Sequence, residues 1–168
     1  MKQMTKFLTL SIVMLAFSAI TFAQATATAT IVTPIAIAKT VDMNFGNVAV
    51  SAALGTVVLD PAGGRSQTGG VSLPANTGTV TAASFDVSGE ATFTYAITLP
   101  AGATTITSGA NTMTVDTWTS TPTVGAGGTL DGTGAQTLTV GATLNVAGSQ
   151  PAGTYVSGTP FTVTVNYN

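Results

Sequence analysis

From Ala25 onward, apolar residues recur at every second position in a series of short runs, and no ten-residue stretch carries them at helical spacing. A strand sends successive side chains to opposite faces, whereas a helix returns to a face every ~3.6 residues, so this rhythm commits the chain to sheet. The last eight residues, "FTVTVNYN", are its cleanest instance. Phe161, Val163, Val165 and Tyr167 fall on one face, and Thr162, Thr164, Asn166 and Asn168 on the other. Thr, Val, Ile, Phe and Tyr suit a pleated, half-buried surface. Gly and Pro punctuate the short alternating runs as turns. The expected fold is all-β, an antiparallel immunoglobulin-like sandwich of about eight to ten strands.

Two hairpins stand out. In "SFDVSGEATFTYAITLP", Phe85 and Val87 share a face, "SGE" turns the chain, and Phe93, Tyr95, Ile97 and Leu99 share a face on return. In "TTITSGANTMTVDTW" the turn is predicted at Ser108 to Asn111. Further strands are predicted in "VDMNFGNVAV", "GTVVLD", "GTVTAA" and "AQTLTVGATLNV", and "VGAGGTLDGTGAQ" is predicted as a mobile loop. Phe85, Phe93, Tyr95, Ile97, Phe161, Val163 and Val165 are the expected core. No repeat is seen that would suggest a solenoid. The rival architecture, an eight-stranded outer-membrane barrel, needs aromatic girdles, yet aromatics are only 7% of the chain.

Residues 1–23 read as a cleaved signal peptide. Lys2 and Lys6 precede the apolar run "FLTLSIVMLAFSAITFA", with small residues offering cleavage after Ala23 or Ala25. The run is shorter than the ~20 residues that span a bilayer, and no later segment qualifies. Cleavage after Ala23 leaves 145 of the 168 residues, enough for one domain to bury a core without disulfides. There is no Cys, hence no lipid-modified N-terminal Cys. The full chain carries a formal charge of −2; once Lys2 and Lys6 leave with the leader, Lys39 and Arg65 stand against Asp42, Asp60, Asp86, Glu90, Asp116 and Asp131, which is 2 − 6 = −4 and leaves no basic patch for nucleic acid. The chain is expected to be exported, to the periplasm, the cell surface or beyond.

Catalytic machinery is not legible. Without His or Cys there is no imidazole base and no thiolate nucleophile. Glu90 beside Ser88 in "VSGEA" reads as a turn, and the six acids sit beside turn-forming residues. The Gly-rich segment lacks "GK[ST]". Asp42 and Asn44 in "VDMNFGN" lack the rest of a calcium loop. "SLPANTG" has one residue too many between Pro74 and Thr77 for a sortase signal. The expectation is no enzyme, no cofactor and no metal.

Two stretches carry a resemblance. They are "ATATIVTPIAIAKTVDMNFGNVAVS" followed by "GTVVLDPAGGRSQTGGVSLP", and "TLTVGATLNVAGSQPAGTYVSGTPFTVTVNYN". Together they resemble the secreted bacterial family catalogued as domain of unknown function 4402. That resemblance implies an exported β-sandwich of a Gram-negative bacterium with no established activity. More loosely, the chain is similar to spore-coat-U-like pilins of chaperone–usher systems, whose disulfide it lacks. Such pilins end on alternating apolar residues with a penultimate aromatic, the positions of Phe161, Val163, Val165 and Tyr167. Their Gly about fourteen residues from the end is replaced here by Tyr155.

These readings converge on a non-catalytic structural subunit of a fibre or matrix, assembled by strand addition. The expected partners are copies of itself or related subunits, with a periplasmic chaperone and an outer-membrane usher, but neither nucleic acid nor a membrane span. Residues 24–33 are the candidate arm and 34–168 the sandwich. Ala25, Ala27, Ala29 and Ile31 continue onto Ile35 and Ile37 along one face of a run about 43 Å long, more than one domain's strand needs. Pro34 interrupts it. The alternative is a self-contained binding module for glycan or a host surface, for which Trp118, the only Trp, is the candidate stacking residue.

Overall fold

The computed structural model describes residues 22–168, so the expected leader lies almost wholly outside the described residues. Among them there are strands and no helix. Residues 32–168 form one compact unit, an antiparallel immunoglobulin-like β-sandwich.

Its spine is β9 (Ala135–Val146), the twelve residues "AQTLTVGATLNV". One edge of β9 is shared. Residues 135–140 pair with β4 (Ala83–Ser88), and residues 142–146 pair with β2 (Ala49–Leu59). Gly141 sits at the junction, where a Cβ would lie 2.3 Å from the carbonyl oxygen of Leu59. Glycine is required there because two strands converge on one backbone. The other edge pairs with β7 (Asn111–Thr121), which continues to β6 (Thr104–Ser108) and the short β10 (Val156–Ser157). β1 (Ala36–Val41) borders β4, and β3 (Arg65–Ser72) borders β2. The facing sheet has three strands in the order β11 (Thr164–Tyr167), β5 (Thr94–Thr98), β8 (Gly128–Thr129).

Between the two sheets lies the main core. Ala83, Phe85, Val87, Leu138 and Val140 come from the long sheet, and Tyr95, Ile97, Leu130, Val163 and Val165 from the short side. A second core of Val57, Val71, Val115, Ala142, Leu144 and Val146 lies under the far half of the long sheet. No facing sheet lies over it among the described residues; half-buried Met43, Phe45 and Val48 pack against it from the irregular segment 42–48. Arg65 fastens that segment by donating to the carbonyls of Phe45 and Asn47.

The β6–β7 hairpin turns where expected, with Ser108 opposite Asn111 and Gly109 at φ +59°. The other expected hairpin is not one. β4 pairs with β1 and β9, whereas β5 pairs with β11 and β8, so "SGE" carries the chain from one sheet to the other. Two amphipathic runs joined by a tight turn alternate identically whether the second lies beside the first or opposite it. Phe93 consequently precedes β5 rather than sharing its buried face. It is 41% exposed, with its carbonyl taken by the amide of Leu130. Phe161 is half-buried rather than core. "VDMNFGNVAV" and "GTVTAA" form no strand of their own: Val41 ends β1, Ala49 and Val50 open β2, Ala83 opens β4, and between these lies a single bridge, Asn44 to Thr81. The segment expected as a mobile loop contains β8 and Leu130, which is 1% exposed.

One short motif occurs twice: "LDPAGG" and "LDGTGA". In each, the Asp carboxylate accepts two backbone amides, from Ala62 and Gly64 at Asp60 and from Thr133 and Ala135 at Asp131. In each, the Asp amide donates four residues on, to Gly64 or Ala135, and a left-handed Gly63 or Gly134 closes the turn. This is the Asx-turn chemistry that favours Asp in loops.

Candidate functional site

The terminal strand alternates in the structure as in the sequence: Val163 and Val165 are 7% and 8% exposed, Phe161 and Tyr167 half-buried, and the residues between them exposed. Its pairing is one-sided. Thr164, Asn166 and Asn168 sit opposite Thr98, Ala96 and Thr94, and the Asn168 amide donates to the Thr94 carbonyl. Backbone groups of successive strand residues point to opposite edges. The N–H and C=O groups of Val163, Val165 and Tyr167 therefore face away from β5, toward an edge on which no strand pairs among the described residues. Charge or Pro often blunts such an edge; the four paired residues "TVNY" carry neither.

Tyr167 also holds the end of the sandwich together. Its hydroxyl donates to the carbonyl of Thr33 at 2.8 Å and accepts from the amide of Glu90 at 2.6 Å. Glu90 in turn accepts from the amide of Thr33 at 2.8 Å. This closed triangle ties the residue before Pro34, the β4–β5 turn and the last strand. The Thr33 backbone amide, with its hydroxyl as a smaller influence, holds the Glu90 carboxyl below its ordinary pKa. A Cβ at Gly89 would lie 2.2 Å from the Tyr167 hydroxyl, so the turn needs glycine for the close approach. Phe93, displaced from the core, packs edge-on against the Tyr167 ring at 5.6 Å.

The candidate arm positions Ala25, Ala27, Ala29 and Ile31 are exposed and in no strand, and Ile31 is 97% exposed. Ile35 and Ile37 pack half-buried against the main core. Trp118 is half-buried, tilted on Phe161 with ring centroids 4.5 Å apart, and its indole N–H donates to Gly102 O at 3.1 Å. It touches both cores. A bulge puts it there. Between the Asp116–Thr143 and Thr119–Gly141 pairs, β7 has one residue more than β9, and Thr117 takes φ +50°. The inward series thereby passes from Val115 to Trp118 and Ser120 instead of to Thr117.

Two further acids, which the sequence placed beside turn-forming residues, have structural partners. Asp42 forms a 2.6 Å ion pair with Lys39, while the Asn44 side chain accepts from the amide of Gly46. Hydrogen bonds from the Thr133 hydroxyl and from the Ala135 and Thr133 amides lower the pKa of Asp131.

A family model described as domain of unknown function (DUF4402) matches residues 35–167. The chain belongs to that family. No curated protein and no solved structure matches it. The DUF4402 match starts at Ile35, the first residue packed on the main core, and ends at Tyr167 of the clasp. The exposed run from Ala25 to Ile31 lies outside it.

Proposed function

We infer that this DUF4402 protein is an exported structural subunit that joins copies of itself by β-strand addition. The arm is residues 24–32 of one copy, and the acceptor is the outer edge of β11 in the next. The observation that carries this reading is the one-sided pairing of β11, which offers the N–H and C=O groups of Val163, Val165 and Tyr167 to an incoming strand. An arm alternating Ala with Thr suits that edge. Val163 and Val165 are already nearly covered, so a donor need add little apolar area and contributes chiefly main-chain hydrogen bonds.

Magnitudes set the strength of the joint. Six new hydrogen bonds at a net ~0.5–1.5 kcal/mol each would contribute about 3–9 kcal/mol. Association itself costs an estimated ~4–15 kcal/mol. A joint of this kind is weak and concentration-dependent unless further surfaces add to it.

Protein with and without residues 24–32 tests the reading by sizing and electron microscopy across a concentration series. Assembly that rises with concentration and requires the arm is the expected result. Equal assembly by both, or monomers in both at the highest concentration, would refute it.

A further inference from the structure

A second surface stands apart from the β11 edge. The β7 bulge and the loop after β5, "LPAGA" from Leu99 to Ala103, border a wide-mouthed depression of about 550 Å³. That lies within the ~300–1,000 Å³ typical of small-molecule sites. Leu99, Trp118 and Val124 supply apolar lining, and Asp116 and Thr117 supply polar groups. Half-buried Trp118 packs on both cores and also lines the depression, its ring held by the hydrogen bond to Gly102 and by contact with Phe161. Asp116 is half-buried, and among the described residues its carboxylate accepts only from the adjacent Thr117 hydroxyl, at 3.0 Å through Oδ1. No cation pairs with it among the described residues. Thr117 holds φ +50° within the bulge, a conformation that a β-branched residue rarely adopts.

We propose that this depression binds a neutral saccharide, with the Trp118 ring as platform and the Asp116 carboxylate and Thr117 hydroxyl as hydrogen-bond partners of sugar hydroxyls. A pyranose matches both halves of the lining. Its C–H face packs on an aromatic ring, and its hydroxyl rim donates to a carboxylate oxygen that has no other partner. Anionic sugars are disfavoured, because Asp116 is the only charged group lining the depression. This site does not depend on the strand-addition reading: the arm and the β11 edge take no part in it.

Trp118 is the chain's only Trp, so intrinsic fluorescence reports on the site directly. The full chain is titrated to ~10 mM with neutral oligosaccharides spanning α- and β-glucan, mannan, xylan and galactan, and with oligogalacturonate as the anionic probe. A saturable shift with at least one neutral oligosaccharide is expected, and none with oligogalacturonate. Asp116→Ala, which removes no core atom, should weaken binding by ~10-fold or more, as loss of a charge-assisted hydrogen bond implies. Trp118→Phe, followed by calorimetry, should weaken it while circular dichroism shows the fold retained. A flat titration with every neutral member overturns the proposal. So does a shift that Asp116→Ala leaves unchanged, or binding confined to the anionic probe.

Discussion

Replacing Tyr167 with Phe isolates one oxygen atom. The ring remains, so its edge-on packing with Phe93 at 5.6 Å is kept. What disappears is the donor to Thr33 O and the acceptor for the Glu90 amide. Two hydrogen bonds at a net ~0.5–1.5 kcal/mol each bound the loss at about 3 kcal/mol. Thr33 is exposed, and water replaces part of that bond, which brings the expected loss to roughly 1–2 kcal/mol. For a domain of this size the melting temperature should fall by about 3–6 °C. The assay is thermal melting together with amide exchange, in which the Glu90 amide should lose protection while core amides keep theirs. If Tyr167 served only as an aromatic read by an assembly partner, Phe would be silent in the isolated protein. An unchanged melting temperature together with unchanged Glu90 exchange would refute the clasp.

Phe85→Ala should cost about 3–5 kcal/mol in chemical denaturation, because Phe85 is buried and meets Phe161 edge-on, whereas Phe93→Ala should cost well under half of that. Equal losses would contradict the placement of Phe93 at the sandwich end. Gly134→Ala should destabilise by more than ~1 kcal/mol, since φ is +78° and a Cβ would lie 2.2 Å from the Gly89 carbonyl oxygen; a neutral result would mean the turn is built otherwise. Glu90 and Asp131 have folded pKa values below their ordinary 4.5 and 3.8, so their contributions are complete above those values and fade as pH falls through the folded ones. Stability should therefore decline in acid below about pH 4, and Asp131→Asn should be less stable at neutral pH with a shallower acid decline. With neither His nor Cys, the protein should show no hydrolase or transferase turnover; turnover abolished by changing Asp42, Asp86 or Glu90 to Ala would contradict this.

Alternation alone was enough to read the sheet class, the inward faces of β4 and β5, and the Val163–Val165 pair; for β9 it gave a strand but no face. It failed where the chain leaves the pleat. At Ser88–Phe93 the same pattern fits a hairpin and a crossover, because alternation records which face is inward and not where the partner strand lies. The bulge at Thr117 is equally silent, since nothing in "VDTWTS" marks a β-branched residue for a left-handed conformation, and the phase of Trp118 depends on it. The Tyr167 triangle joins residues 33, 90 and 167, separations at which no local motif speaks. The Asp60 and Asp131 turns were legible in principle, as a shared Leu-Asp followed by Gly four positions after the Leu. The open edge of β11 was not, because it follows from which strands are absent beside it.

Amide exchange along β11 tests strand addition most directly. Thr164 and Asn166 point their amides toward β5, whereas Val163, Val165 and Tyr167 point theirs outward. With residues 24–32 intact, exchange of the outward amides should slow progressively as protein concentration rises, while the inward ones stay protected throughout. In protein lacking the arm they should stay fast while Thr164 and Asn166 remain protected. Outward amides that exchange alike in both proteins, fast or slow, would contradict assembly through this edge.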